Sequence, residues 1–142
     1  MASSAPAAHA VPSKQAAQWP LVGRLEELAL IKDVLAGPDG RGLVLAGAAG
    51  IGKTRLALEA LDESRSRGFA TQLITASRAA ASIPFGCLAH LLPVPARLGQ
   101  SRLELLRQAV HALFEQADTR QLVVGVDDAH LLDDASATFV SM

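Results

Sequence analysis

The chain has few of the residues that build disulfides, aromatic platforms or membrane spans. Its 142 residues include one cysteine, Cys87, and no tyrosine, and aromatic residues are only 4% of the total. One cysteine cannot form an internal disulfide, so the composition favours a reducing cytoplasm and predicts that Cys87 is a small buried residue. No apolar run approaches the roughly 20 residues of a transmembrane helix, and we expect a soluble protein with no membrane partner.

Charge of either sign is also not in excess. The formal net charge is −1 at pH 7, while 50% of the residues are hydrophobic. Surfaces that bind nucleic acid are basic and often aromatic, so this composition argues against direct DNA or RNA binding by these residues. The length and the hydrophobic content fit one domain with its own core.

Residues 1–18 differ from the remainder in composition. They are rich in Ala, Ser and Pro, and they lack the basic segment and the uninterrupted apolar segment of a signal peptide. We therefore predict a disordered arm at residues 1–18 and a folded region at residues 19–142.

The most specific pattern is a glycine-rich octapeptide, G-x-x-x-x-G-K-[ST], at residues 47–54, between an apolar run and a helical pattern. Its glycines let successive backbone N–H groups turn towards a phosphate, and the positive end of the following helix adds to the attraction. This phosphate-binding loop, or P-loop, predicts a site for a nucleoside triphosphate. The residues assigned to cofactor binding here are Gly47, Ala48, Ala49, Gly50, Ile51, Gly52, Lys53, Thr54 and Arg55.

Four side chains would supply the chemistry of this site. Lys53 would reach the β- and γ-phosphates, and the Thr54 hydroxyl would be one ligand of a phosphate-bound Mg²⁺. The apolar residues 122–126 followed by Asp127 and Asp128 are typical of a buried parallel strand that ends in acids, the Walker B strand. Asp127 would hold Mg²⁺ through its water shell, and Asp128 would stand near the attacking water. The alternative is that both acids only close a core strand.

Hydrophobic periodicity predicts alternating helices and strands, and hence an α/β fold with a parallel sheet and flanking helices. The glycine order G-x-x-G-x-G differs from that of dinucleotide folds, which argues against NAD and FAD. Asp133 or Asp134 is predicted to cap a last helix. The apolar face of the helix at 102–117 is predicted from Leu103, Leu106, Val110 and Leu113. Other helices are predicted after the arm and ending at residue 35, at residues 53–66 and near residues 87–92. Strands are predicted at residues 43–46, 69–76 and 122–126.

Four features together resemble one family. They are Leu-Val-Gly-Arg at 21–24 followed by Glu26 or Glu27, the P-loop, Ile-Pro-Phe-Gly at 83–86, and Val-Asp-Asp-Ala-His at 126–130. This combination resembles the AAA-like ATPase module of the signal-transduction ATPases known as STAND proteins. More narrowly, it is similar to the large ATP-binding LuxR-type transcriptional regulators of actinobacteria, over about residues 19–142.

The resemblance implies a P-loop NTPase fold of the AAA type, with ATP and Mg²⁺ as cofactors. By this resemblance, Gly23 and Arg24 would lie beside the adenine, and Asp128 would occupy the place where many AAA ATPases carry a catalytic Glu. Asp is one methylene shorter, so slow hydrolysis by Asp128 with Lys53 suits a switch whose ATP-bound state must persist. His130 is either a sensor of the γ-phosphate or a polar residue at a strand end.

The same resemblance implies that the chain is a fragment of a larger regulator. In this class the strand order is 5-1-4-3-2, and the strand between the P-loop strand and the Walker B strand follows Walker B in the chain. We therefore expect a sheet that is incomplete at its C-terminal side and little ATPase activity from this segment alone. DNA would be bound only through a C-terminal domain, and self-association would use the ATPase module.

Two other functions stay open at this point. A P-loop small-molecule kinase would be expected to have an arginine-rich lid, whereas the arginines here are scattered. A replication-initiator-like AAA ATPase shares the Gly-Arg box but would be expected to carry Asp-Glu at residues 127–128. The Asp-Asp pair therefore favours the regulatory switch.

Overall fold

The computed structural model describes residues 23–37, 42–92 and 101–141, and the predicted arm at 1–18 lies outside them. The described residues form four α-helices, two strands and two short 3₁₀ helices. None of these helices combines the length and the apolar character that a bilayer crossing needs. In chain order the elements are α1 Leu25–Leu35, α2 Lys53–Ser66, β1 Ala70–Thr75, a 3₁₀ helix Gly86–Leu91, α3 Arg102–Ala117, β2 Leu122–Asp127, a 3₁₀ helix Ala129–Leu131 and α4 Asp134–Val140.

The predicted bounds of α2 and α3 are confirmed. Local hydrogen bonds explain where α3 and α4 begin. The Ser101 side chain accepts from the Glu104 N–H at 3.3 Å, and the Glu104 carboxylate accepts from the Ser101 N–H at 2.8 Å. This reciprocal pair is a capping box, which satisfies two donors at the start of α3. At α4 the cap is Asp133, the first of the two predicted alternatives.

β1 and β2 pair in parallel, in the register Ala70↔Leu122 to Thr75↔Asp127. Their carboxyl ends therefore lie at the same edge of the sheet, where open α/β folds place ligand-binding residues. Helices flanking a parallel pair of strands agree with the predicted α/β class.

The predicted strand at 43–46 does not form. Residues 42–48 have no regular secondary structure, and the Val44 side chain is 90% exposed. A strand is held by hydrogen bonds to a neighbouring strand, and the described residues supply no such bonds to this segment. The apolar sequence is present, but its partner is missing among these residues.

Two apolar clusters hold the elements together. The smaller joins α1 to α2, and half-buried Leu45 packs against it. The larger fills the space between the sheet, the first 3₁₀ helix and α3, and it contains Cys87, which is buried as predicted. The buried members of the smaller cluster are Leu28, Ile31, Leu56 and Ala60, and those of the larger are Ile74, Phe85, Cys87, Leu88, Leu91, Ala109 and Leu113.

The buried face of α3 agrees with the predicted one only in part, since Leu106 packs against the larger cluster. Leu113 is buried as expected, but Leu103 is 55% exposed, and the other fully buried positions are Ala109 and Ala117. α3 is apolar around much of its circumference, so periodicity alone does not select one face. The face with small alanine side chains packs inward, because it allows the helix a close approach to the sheet and the 3₁₀ helix.

Gly125 lets α2 lie close against β2. A Cβ atom at this position would be 3.0 Å from the Leu61 Cδ1 atom and 3.5 Å from the Leu73 Cδ1 atom. Because Leu61 is almost fully buried, it would have to shift to accommodate any side chain at residue 125. The glycine therefore sets a short spacing between α2 and the sheet, which brings the first turn of α2 near the end of β2.

Asp133 connects the segment after β2 to the loop after β1. Its Oδ1 atom accepts hydrogen bonds from the N–H groups of Phe85, Ala135 and Ser136, each at 3.1 Å. Its Oδ2 atom accepts one from the buried Ser136 hydroxyl. One carboxylate thus caps α4 and fixes a residue 48 positions earlier in the chain.

The contact with Asp133 gives the Ile-Pro-Phe-Gly segment a physical role. Phe85 has a left-handed backbone with φ of 58°, and its side chain is buried in the larger cluster. A Cβ atom on Gly86 would lie 2.3 Å from the Ala80 carbonyl oxygen, so the next position has no room for a side chain. The segment is a tight turn that places Phe85 in the core and its N–H against Asp133.

These hydrogen bonds also set the pKa of Asp133. Partial burial alone would raise it, but the hydrogen bonds from Ser136, Phe85 and Ala135 stabilise the charged form and keep the pKa below its ordinary value of 3.8. A carboxyl whose pKa is lower in the folded state contributes stability above its unfolded pKa. That contribution is lost as the pH falls through the folded pKa.

We predict that Asp133→Ala lowers the free energy of unfolding by about 2 kcal/mol at pH 7, because α4 loses its cap and the Phe85 N–H loses its acceptor. Urea denaturation measures the change. The matched control is Asp134→Ala at the next, exposed position, where we expect a change below about 0.5 kcal/mol. The difference between wild type and Asp133→Ala should shrink as the pH falls below about 4. A difference that stays constant down to pH 3 would contradict a role for the charged carboxylate.

Candidate functional site

The loop at residues 47–52 is closed by the lysine that follows it. The Lys53 Nζ atom donates to the carbonyl oxygens of Gly47 and Ala48, both at 2.9 Å. Gly50 and Gly52 have φ angles of 76° and 93°, in the left-handed region that residues with side chains rarely adopt. The glycines permit the bend, and the ammonium group holds the two ends of the loop together.

The loop leads directly into the N-terminus of α2. The N-cap residue is Gly52, which has no side chain to accept hydrogen bonds from the first turn, in contrast to Ser101 at α3 and Asp133 at α4. The first N–H groups of a helix have no partner within it, and they carry the positive end of the helix dipole. Together with the Lys53 ammonium, they form a surface suited to an anion such as phosphate.

Thr54, in the first turn of α2, contacts the end of β2. Its Oγ1 atom donates to the Oδ1 atom of Asp127 at 3.0 Å, across 73 residues of chain. The same carboxylate oxygen accepts from the N–H of Asp128 at 3.1 Å. The P-loop and the Walker B acids, which the sequence presents as separate patterns, therefore meet at one edge of the sheet.

Asp128 follows the strand in a left-handed conformation, with φ of 53°, and its side chain is exposed. Its carbonyl oxygen accepts from the Leu131 N–H at 2.8 Å, which starts the short 3₁₀ helix. His130, within that helix, is also exposed. The two acids thus differ in surroundings, since Asp127 is half-buried against Thr54 and Asp128 faces solvent.

Arg24 also reaches the P-loop. Its Nη2 atom donates to the Ile51 carbonyl oxygen at 3.0 Å, and its Nη1 atom donates to the Oε1 atom of Glu27 at 2.9 Å. Gly23 precedes it with φ of 75°, while residues 21–22 of the same sequence box lie outside the described residues. The start of α1 is therefore joined to the phosphate-binding loop by one guanidinium group.

Sequence reasoning noted Glu27 but assigned it no role. Its backbone N–H and then the Arg24 guanidinium lower the pKa of the Glu27 carboxyl, so the charged form is favoured. The spacing of an arginine and a glutamate three positions apart at a helix start is the signal that could have found this pair. Arg55, another predicted site residue, pairs with Glu59 one turn further along α2, at 3.4 Å.

Comparison with known proteins gives one result. The family model for the AAA ATPase domain matches residues 20–142, which include the P-loop, the Walker B acids and Arg24. A search of curated proteins and a search of solved structures give no match. Because the match covers most of the chain, and because the P-loop and Walker B residues meet at one sheet edge, the chain belongs to the AAA ATPase domain family and carries the nucleotide-binding P-loop of that family.

Proposed function

We propose that this chain is the N-terminal part of a regulatory module that binds ATP with Mg²⁺, and that the larger protein hydrolyses ATP slowly. The observation that carries the proposal is the 3.0 Å contact between the Thr54 hydroxyl and the Asp127 carboxylate. These are the hydroxyl and the acid that a phosphate-bound Mg²⁺ needs, and they lie 73 residues apart in the chain. Two acids that only closed a core strand would need no side-chain contact with the P-loop.

The spacing of these two oxygens fits Mg²⁺. An octahedral ion with bonds of about 2.1 Å has neighbouring ligands about 3.0 Å apart. The Thr54 Oγ1 and Asp127 Oδ1 atoms also lie 3.0 Å apart, so an ion bound by the Thr54 hydroxyl would have the Asp127 carboxylate close enough to hold one of its waters. Bound there, Mg²⁺ would neutralise charge on the phosphates.

The phosphate chain would lie over the N-terminus of α2. The Lys53 ammonium would exchange its hydrogen bonds to Gly47 and Ala48 for bonds to phosphate oxygens. Because these carbonyls are neutral and a phosphate is charged, the exchange favours the nucleotide. The N–H groups of the loop and of the first turn of α2 would complete the cradle.

Asp128 is proposed as the residue that orients the attacking water. It is exposed beside Asp127, which leaves space for a water and a phosphate in front of it. A carboxylate one methylene shorter than Glu holds such a water less favourably, which supports slow turnover and a long-lived ATP state.

We further propose that this module belongs to a LuxR-type transcriptional regulator of the STAND class. The support is the Gly23-Arg24 box, the Ile-Pro-Phe-Gly turn at 83–86 and the Asp-Asp pair at 127–128. In this proposal ATP and ADP are the partners of the described site, in the cytoplasm, and DNA is contacted only by another domain. Residues 19–142 would be the N-terminal part of the ATPase domain, in which 43–46 pairs with a further strand.

We predict that Lys53→Ala weakens ATP binding at least about tenfold, because phosphate charge would be left without its cationic partner. Calorimetric titration of the whole chain with ATP and Mg²⁺ measures the affinity. Lys32→Ala is the matched control, since Lys32 is a surface lysine on α1 that pairs with Glu63 on α2 at 3.4 Å. Equal affinity in wild type and Lys53→Ala would refute the assignment of the P-loop.

The two acids should have separable effects. Asp127→Ala should abolish the gain in ATP affinity that Mg²⁺ provides, because the carboxylate facing the ion is removed. Asp128→Asn should retain that affinity and lose the slow turnover, because only the group that orients water is changed. Nucleotide titrations with and without Mg²⁺, combined with a phosphate-release assay on the larger protein, measure both quantities. The division of roles is wrong if both variants lose affinity equally and keep the same turnover per bound ATP.

A further inference from the structure

The contact between α1 and the phosphate-binding loop is not explained by adenine binding. The Arg24 guanidinium donates through Nη2 to the Ile51 carbonyl oxygen and through Nη1 to the Glu27 carboxylate. We propose that Glu27 orients Arg24 and that Arg24 holds the Ile51–Gly52 peptide, so that this pair positions the P-loop for phosphate. The inference rests on the proposed function only in naming phosphate as the ligand of the loop.

Peptide geometry gives the contact its effect. In a trans peptide the C=O and the following N–H point in opposite directions. When Arg24 fixes the Ile51 carbonyl on one side, the Gly52 N–H is therefore directed to the other side. Gly52 stands at the N-terminus of α2, among the donors that form the anion-binding surface. Arg24 thus sets the direction of the Gly52 N–H, a hydrogen-bond donor to phosphate, without touching the phosphate.

The loop needs such a contact because its own sequence does not restrain this peptide. Gly52 and Gly50 lie on either side of Ile51, both with left-handed φ angles, and glycine readily adopts several backbone conformations. The Ile51 side chain is 46% exposed, so core packing restrains it only in part. The hydrogen bond from Arg24 supplies a restraint that the glycines lack.

Glu27 makes Arg24 a fixed donor. A free arginine has many rotamers, and an ion pair at one end of its planar guanidinium leaves the other end in a defined place. Glu27 lies in the first turn of α1, and the same helix buries Leu28 and Ile31 against Leu56 and Ala60 of α2. The pair is therefore carried by a helix that is packed on the helix following the P-loop.

This role differs from the adenine contact that the family resemblance implies. Comparing the binding of ligands with different bases, or with no base, distinguishes the two roles. A residue that positions the loop affects every ligand that carries the phosphate chain. A residue that contacts adenine affects the preference for ATP over GTP and leaves inorganic tripolyphosphate unchanged. Arg24→Lys is informative because one ammonium group cannot reproduce the two-ended geometry of the guanidinium.

The first test is calorimetric titration of the whole chain with ATP, GTP and inorganic tripolyphosphate. We expect Arg24→Ala to weaken all three by the same factor, about fivefold, with Arg24→Lys between it and wild type and Lys32→Ala unchanged. Glu27→Gln should weaken binding in the wild-type background and add nothing in the Arg24→Ala background. Loss of the preference for ATP with unchanged tripolyphosphate binding would overturn the inference. A Glu27→Gln effect that persists without Arg24 would also overturn it.

The second test needs no nucleotide and decides the inference even if the proposed function fails. Backbone ¹⁵N relaxation of the free chain reports the order parameter of the Gly52 N–H. We expect an order parameter of about 0.85, typical of rigid backbone, in wild type and Lys32→Ala, and one below about 0.6 in Arg24→Ala. The order parameters of β1 and β2 should be the same in all three proteins. Equal order parameters at Gly52 in wild type and Arg24→Ala would refute the positioning role. A wild-type chain that binds neither ATP nor tripolyphosphate would refute the proposed function alone.

Discussion

The hydrogen bond between the Thr54 hydroxyl and the Asp127 carboxylate is the contact on which the site depends. It requires α2 to begin at the end of the P-loop and β2 to end at the same edge of the sheet. The parallel register with β1 fixes where β2 ends, and Gly125 allows α2 to lie close enough for the two oxygens to meet. The positions of α2, β1 and β2 together set this one distance.

Features set by neighbouring residues were predictable from the sequence. The bounds of α2 and α3 follow from apolar periodicity, and the cap at Asp133 follows from the side-chain chemistry of helix starts. The glycine pattern of the P-loop likewise indicates its bend, because glycine adopts the left-handed conformations found at Gly50 and Gly52. For such features the cause lies within a few residues of the effect.

Features that need a distant partner were not predictable. The apolar segment 43–46 reads as a strand, yet strand formation depends on a neighbour that its sequence does not specify. The same limit applies to the link between Phe85 and Asp133, 48 residues apart, and to that between Arg24 and Ile51, 27 residues apart. The choice of the alanine face of α3 depends on the surface it meets, because several faces of that helix are apolar.

The left-handed backbone of Asp128 bears on which acid can stand at that position. Among residues with side chains, aspartate and asparagine tolerate this conformation best, since their short polar groups can bond to the nearby backbone. Glutamate there would extend one methylene further towards a water, but it would have to be held in a conformation that costs about 1 kcal/mol for most residues. Under the proposed function, backbone preference and catalytic reach would therefore oppose each other at residue 128. The aspartate is the choice that relaxes the main chain, and slow hydrolysis would be its chemical counterpart.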